Sequence, residues 1–485
     1  MNGLTKSTRM LIGGELVESE GGAWMDAIDP ATEDVIGRFP AGNDRDVAKA
    51  VDAADRAWPQ WNAMGVAARA EAMRNFGRKI LERADELLEV EVRDTGNTIA
   101  PMRGDVKHGV ASIDYYAGLG YELKGETIPA TPDNLHFTVR EPYGVVARIV
   151  PFNHPVMFAT ARTAGALMAG NAVVVKPPET ASLSALILSE IAREALPPGV
   201  FNIVTGTGAG VGAPLVRHPA VKRIAFIGSA GTGMAIQRMA AEVAVKHVTL
   251  ELGGKNPMIV FPDVDPQSII ASAIAGMNFS WQGQSCGSTS RLLLHESIYD
   301  EVVAGLVERI NAIRVGDPMD ETSQMGAINS KVQYDKVLNY IEMAKREGAT
   351  LLAGGQRPTG PGFEKGFWVR PTLFGDVTQD MRIANEEVFG PLLSVMKWST
   401  FDQALEIANA VDLGLTASIW TNNIDDALGA ARRVRAGYVW INSVGPHYPA
   451  MNYGGYKNSG TGREEGLEEM LSYTEQKVYN IALRR

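Results

Sequence analysis

Apolar and polar positions divide the chain into stretches of different period. Residues 1–43 carry short apolar runs broken by turn residues, as in "RMLIGGELVES" and "DPATEDVIGRFPAG". This predicts short strands and turns. From Asp44 to about Leu123 apolar residues recur every three or four positions with charges between them. Examples are "DRDVAKAVDAADRAWPQW" and "RAEAMRNFGRKILERADELLEVEVRDTG". That spacing puts an apolar stripe along each of several helices. The middle of the chain changes character. "YGVVARIV" (143–150), "NAVVVK" (171–176), "FNIV" (201–204) and "RIAFI" (223–227) are near-continuous apolar runs. Helical segments such as "PVMFATARTAGALMAG" and "TASLSALILSEIAREAL" separate them. Strands buried on both faces need such runs, so a parallel sheet covered by helices is expected.

The fold class is therefore α/β, with a doubly wound nucleotide-binding layout. The rhythm then repeats in "NPMIVF", "SRLLLHESIYDEVVAGLVERI", "SVMKWS", "TASIWT" and "GYVWINS", which reads as a second α/β domain. A strand-like, aromatic "LSYTEQKVYNIAL" follows near the end. More than one domain suits 485 residues, because single cores stop growing at roughly 250–300 residues. No repeat of 20–50 residues is visible.

Composition narrows the function classes. The chain is 45% hydrophobic and 21% charged, ordinary for a soluble globular protein. A formal net charge of −10 argues against nucleic acid as a partner. One cysteine forms no intramolecular disulfide, so nothing points to an oxidising compartment. The N-terminus lacks the apolar stretch of a secretory signal, and no run reaches the ~18–20 apolar residues of a membrane span. A cytoplasmic protein with no membrane partner and no metal site is expected.

Two glycine-rich loops compete for a phosphate. "TGTGAGVGA" (205–213) contains G-x-G-x-x-A from Gly208 and includes Gly212. "FIGSAGTG" (226–233) follows a strand and opens a helix. The second has the better context for a pyrophosphate at a helix N-terminus, through Phe226, Gly228, Ser229 and Gly233. Lys176 and Glu179 in "VVVKPPETA" stand at the carboxyl end of another strand. A carboxylate there accepts from ribose hydroxyls and repels a 2′-phosphate, which favours NAD, with NADP as the lesser option. Taken alone, both are ordinary surface charges. The lone thiol, Cys286 in "FSWQGQSCGSTSR" (279–291), is likewise either a small buried hydrophobe or a nucleophile.

Together these segments resemble the aldehyde dehydrogenase superfamily. The resemblance runs over essentially the whole chain. It rests on "VPFNHP", "KPPETA", "FIGSAGTG", "LELGGKNP", "GQSCGSTSR", "NEEVFGPLL" and "YGGYKNSGTGRE", in that order. It implies an NAD-binding domain (1–122 and 143–253), a catalytic domain (254–458) and a small β oligomerisation arm (123–142 and 470–485), in a homodimer or homotetramer. It implies Cys286 as nucleophile, Asn153 as oxyanion donor with the Cys286 backbone N–H, and Glu251 as base. Glu387 would bond the nicotinamide ribose and Phe389 would pack on the ring.

The chemistry agrees with those residue types. An aldehyde carbon parts with hydride poorly until a thiolate has made it tetrahedral and anionic, and the thiolate leaves well afterwards. Losing one donor to the anionic oxygen typically costs roughly 10²–10³ in rate. The family resemblance further implies that a carboxylate at Glu251 favours water over coenzyme A as acyl acceptor. The alternatives are a CoA-acylating semialdehyde dehydrogenase and a non-catalytic binding or structural protein of the same fold.

The small-molecule aldehyde is less defined. The family pattern implies a tunnel lined by Phe152, His154, Phe158, Trp281, His447, Tyr448 and Tyr453. Two histidines and two tyrosines make it polar, so a polar or aromatic aldehyde is expected. A quaternary-ammonium aldehyde such as betaine aldehyde is a further option, since aromatic rings can cage such a cation. Phe152 replaces a commoner Trp, Tyr453 stands where Phe often precedes the paired glycines, and Ser288 sits where a smaller residue is usual.

Overall fold

Asn43 starts the helical stretch with a capping box: its side chain accepts from Asp46 N, while the Asp46 carboxylate accepts from Asn43 N. Four helices follow, Asp44–Ala63, Gly65–Glu82, Ala84–Thr95 and Ile99–Gly118. The third ends where Gly96 takes φ +80°, a turn that suits glycine. The computed structural model describes residue 4 and residues 6–483. Residues 1–3, 5, 484 and 485, at the ends of the expected cofactor domain and arm, lie outside the described residues.

The first group of apolar runs forms the centre of an eight-stranded sheet. Its parallel core runs Phe201–Ile203, Ala172–Lys176, Val145–Ile149, Val221–Gly228, His247–Leu252. Val145–Ile149 and Ala172–Lys176 are buried at every position, which is why their sequences do not alternate. One edge is finished by Gly460–Thr461, which returns from more than 200 residues away to lie antiparallel to Leu250 and Glu251.

The second group forms a seven-stranded sheet, parallel except for its edge strand Thr350–Ala353. Strands Arg291–His295 and Pro257–Val260 are central in it. A separate ribbon pairs Asn134–Pro142 with Thr474–Ala482 from Thr474↔Pro142 to Ala482↔Asn134. Earlier in that segment, Thr127 meets Phe137 in an isolated bridge. No helix among the described residues is long and apolar enough to cross a membrane.

Candidate active site

The parallel strands of the first sheet deliver their following loops to one cavity of about 900 Å³. Lys176 ends one strand and Gly228 ends another. Asn153 follows Ile149 and precedes the helix Pro155–Met168. The two glycine loops that compete in the sequence both line this cavity, through Gly208 and Gly212 on one side and Phe226, Gly228 and Ser229 on the other. Glu179 joins them: its Oε2 accepts from Gly208 N at 2.9 Å and stands 3.7 Å from Lys176 Nζ. Burial lowers the Lys176 pKa.

Ser229 caps the helix Ala230–Ala241, its hydroxyl accepting from Thr232 N. Gly233 lies inside that helix, off the cavity wall, where an added Cβ would come within 2.8 Å of Leu252. Its lack of a side chain serves helix–strand packing.

Phe152, Glu387 and Phe389 also wall the cavity. The rings of Phe152 and Phe389 meet edge to face at 5.7 Å. Phe389 has φ +56°, a strained value for a bulky residue. Gln333 holds it there by donating to the Val388 and Phe389 carbonyls at 3.0 and 2.7 Å. Glu387 Oε1 accepts from Gly254 N at 2.9 Å, and a Cβ on Gly253 would lie 1.9 Å from the other carboxylate oxygen. The paired glycines of "LELGGK" thus make room for Glu387.

Cys286 sits in the loop between the turn Phe279–Trp281 and the strand Arg291–His295. The loop is pinned from below. Asn256 Nδ2 donates to the carbonyls of Cys286 and Ser288 at 2.7 and 2.9 Å, while its Oδ1 accepts from Thr416 N at 3.0 Å. Upstream, Gln282 (φ +53°) and Gly283 (φ +66°) turn the chain tightly. A Cβ on Gly283 would lie 2.3 Å from Gly390 O.

Cys286 and Glu251 line both this cavity and a second one of about 370 Å³. Burial, then the charge of Glu251, push the thiol pKa well above its ordinary value. Tyr453 OH lies 3.8 Å from Sγ. Neither carboxylate oxygen of buried Glu251 has a hydrogen-bond partner. Burial, reinforced by Glu464, raises its pKa to about 8, against a lowering contact with the Cys286 thiol. Asn153 is buried on the wall of the larger cavity, its Oδ1 without a partner.

The second cavity gathers His154, Phe158, Trp281, His447 and Tyr453. Phe152 belongs to the first cavity instead, and Tyr448 is 55% exposed and lines neither. Sequence reasoning missed the groups behind these rings. Asp105 Oδ2 lies 2.7 Å from His154 Nδ1, and Glu465 Oε2 lies 3.0 Å from His447 Nδ1. Glu465 also accepts from Arg162 Nη2 at 2.5 Å. Burial works upward on the Glu465 pKa, but Arg162 and His447 outweigh it and hold it at about 2. Sequence reasoning also missed Asn256, although it stands inside the quoted "LELGGKNP".

The arrangement joins a thiol and an unpartnered carboxylate where two cavities meet, with an amide on the wall of the larger one. One cavity is walled by glycine backbone, a helix N-terminus and apolar side chains. The other is lined by aromatic rings and imidazoles.

Comparison with known proteins agrees with this geometry. A family model described as "Aldehyde dehydrogenase family" matches residues 16–479. Aldehyde dehydrogenase tropH of Talaromyces stipitatus is 46% identical over 94% of this chain and 90% of its own. Hydroxyisobutyraldehyde dehydrogenase of Mycolicibacterium austroafricanum is 42% identical over 98% of this chain and 94% of its own. The structure of a Bacillus cereus aldehyde dehydrogenase in complex with NAD+ superposes with a TM-score of 0.96 at 39% identity, over 99% of this chain and 98% of that one.

Proposed function

The chain belongs to the aldehyde dehydrogenase family, and from that premise we propose that it oxidises a polar or aromatic aldehyde to its carboxylic acid through the Cys286 thiol. The observation that carries this reading is the meeting of the two cavities at Cys286, beside a buried carboxylate with no partner.

The larger cavity suits NAD+ by its own chemistry. Gly228 and the Ser229 helix cap offer backbone N–H groups to a pyrophosphate. Glu179, with Lys176 beside it, suits ribose hydroxyls and disfavours a 2′-phosphate. Glu387 and Phe389 line the same cavity, Phe389 edge to face with Phe152, and are suited to the nicotinamide ribose and ring. When bound, NAD+ supplies the acceptor for the hydride.

The protein's own groups do the rest. Glu251 takes the Cys286 proton, and sulfur forms a bond to the aldehyde carbon entering from the second cavity. The Asn153 amide and the Cys286 backbone N–H donate to the resulting oxyanion. Loss of hydride from that carbon leaves a thioester on Cys286. Glu251 gives the thiol's proton up to solvent and then removes a proton from water as it adds to the thioester carbon. The carbon–sulfur bond breaks, releasing the acid and restoring the thiol. The buried, unpartnered state of Glu251 supports both proton transfers, since a carboxylate poised near neutral pH exchanges protons efficiently.

Residues 1–122 and 143–253 form the cofactor domain in this reading and 254–458 the catalytic domain. The paired strands of 123–142 and 470–485 serve as the arm of a homodimer or homotetramer. Leu135, Val478, Ile481 and Leu483 on that ribbon are exposed apolar side chains, which suits burial against a second copy.

The test is an aldehyde panel with NAD and NADP, in the presence and absence of coenzyme A. Free acid as product with NAD is expected. An acyl-CoA product formed only when CoA is present would overturn the choice of water.

A further inference from the structure

Two imidazoles on the wall of the smaller cavity are held in the same way. His154 Nδ1 is 2.7 Å from the Asp105 carboxylate, and His447 Nδ1 is 3.0 Å from that of Glu465. Glu465 is an ionised acceptor, held so by Arg162 at 2.5 Å. A carboxylate oxygen can only accept, so Nδ1 of each ring carries the hydrogen. In the neutral imidazole that leaves Nε2 as an acceptor. Among the described residues, neither Nε2 has a protein hydrogen-bond partner.

The rings are also fixed in plane. His447 packs against Tyr438, stacked at 12° and 5.5 Å, and against Tyr453 at 4.6 Å. His154 packs edge to face on Phe158 at 5.5 Å and against Trp281 at 5.3 Å. Orienting carboxylates and packed rings are what hold an imidazole ready for a partner that the protein itself does not supply.

We propose that Nε2 of His154 or of His447 accepts the hydrogen bond of a hydroxyl on the substrate, so that the aldehydes preferred are hydroxylated ones. The inference rests on the proposed oxidation at Cys286, which shares the cavity. It narrows "polar or aromatic" to substrates that donate a hydrogen bond. It assigns His154 and His447 to specificity, with Asp105 and Glu465 as positioning residues.

The test compares the 2-, 3- and 4-hydroxybenzaldehydes with the matching methyl and methoxy compounds. Methyl controls for size, and methoxy retains the oxygen without its hydrogen. The wild-type enzyme should favour at least one hydroxybenzaldehyde over both controls by about tenfold in kcat/KM, the scale of one net hydrogen bond. In His154→Phe or His447→Phe that ratio should fall toward one, through KM more than kcat. Wild-type ratios near one at all three positions would overturn the proposal while leaving aldehyde oxidation intact. So would ratios unchanged in both folded variants. Absence of NADH formation with every aldehyde would instead count against the oxidation itself. The wild-type comparison stands even where a variant fails to fold.

Discussion

The side chain of Asn256 carries the backbone of Cys286, its Nδ2 donating to the Cys286 carbonyl at 2.7 Å while its Oδ1 accepts from Thr416 N. One buried amide thus ties the nucleophile's loop to a strand of the second sheet. Asn256→Ala leaves the Cys286 and Ser288 carbonyls and Thr416 N–H without these bonds. Each buried group so orphaned costs about 1–3 kcal/mol. We expect a clear fall in melting temperature and a kcat lowered by roughly 10²-fold, the scale of a misplaced reacting group. Asn256→Asp should not rescue, because it turns a carboxylate toward two carbonyls. Wild-type kcat in either variant would separate the loop's position from the chemistry.

Tyr453 and Cys286 form a second pair, with the hydroxyl 3.8 Å from sulfur. The hydroxyl favours the thiolate, against the upward push of burial on the thiol. Tyr453→Phe removes it, so the thiol pKa should rise further. Alkylation of Cys286 by iodoacetamide, followed against pH, should shift to higher pH and slow severalfold at pH 8. A profile identical to wild type would remove Tyr453 from thiol activation.

Glu251 gives the pH dependence. Its pKa is raised by burial to about 8, and the base form is the deprotonated one. Activity is therefore expected to rise with pH through about 8 and to fall on the acid side, where the carboxyl keeps its proton. Glu251→Gln should lower kcat by roughly 10²–10⁴-fold, the usual range for a general base. It should also abolish that inflection. An inflection near 8 that survives in Glu251→Gln would belong to another group.

Glu179 separates the two cofactors. Its carboxylate is close to Lys176 and accepts from Gly208 N. In Glu179→Ala the KM for NAD should rise by about tenfold as one charge-assisted hydrogen bond is lost. Discrimination against NADP should shrink, with kcat for NAD little changed. An unchanged NAD-to-NADP ratio in this variant would remove Glu179 from cofactor choice.

The buried apolar runs were the most legible part of the fold. Val145–Ile149, Ala172–Lys176 and Arg291–His295 are strands because continuous β-branched and aliphatic stretches fit a sheet covered on both faces. Thr350–Ala353 and Gly460–Thr461 escaped notice. They are short edge strands that no local period marks, and the partner of Gly460–Thr461 lies more than 200 residues back along the chain. The glycine loops at 205–213 and 226–233 looked like rivals because sequence order does not state which loops leave the same end of a sheet. Strand order puts both on one cavity.

The site was legible to the extent that motifs carried it. Cys286, Glu251 and Asn153 were named from sequence, and they gather around the larger cavity. The carboxylates behind the named histidines were not. Asp105 and its partner His154 are 49 positions apart, and Glu465 and its partner Arg162 are 303 apart. Such pairs exist only once helices and loops have packed.

The central claim is that the acyl group passes through Cys286. The direct measurement is rapid-quench mass spectrometry of the wild-type chain mixed with NAD+ and an oxidisable aldehyde. The account predicts about one equivalent of NADH per site in a burst. It also predicts a thioester mass on the peptide containing Cys286, with neither seen in Cys286→Ser. Steady NADH formation by Cys286→Ser at the wild-type rate, with no acyl adduct on any peptide of the wild-type chain, would contradict it.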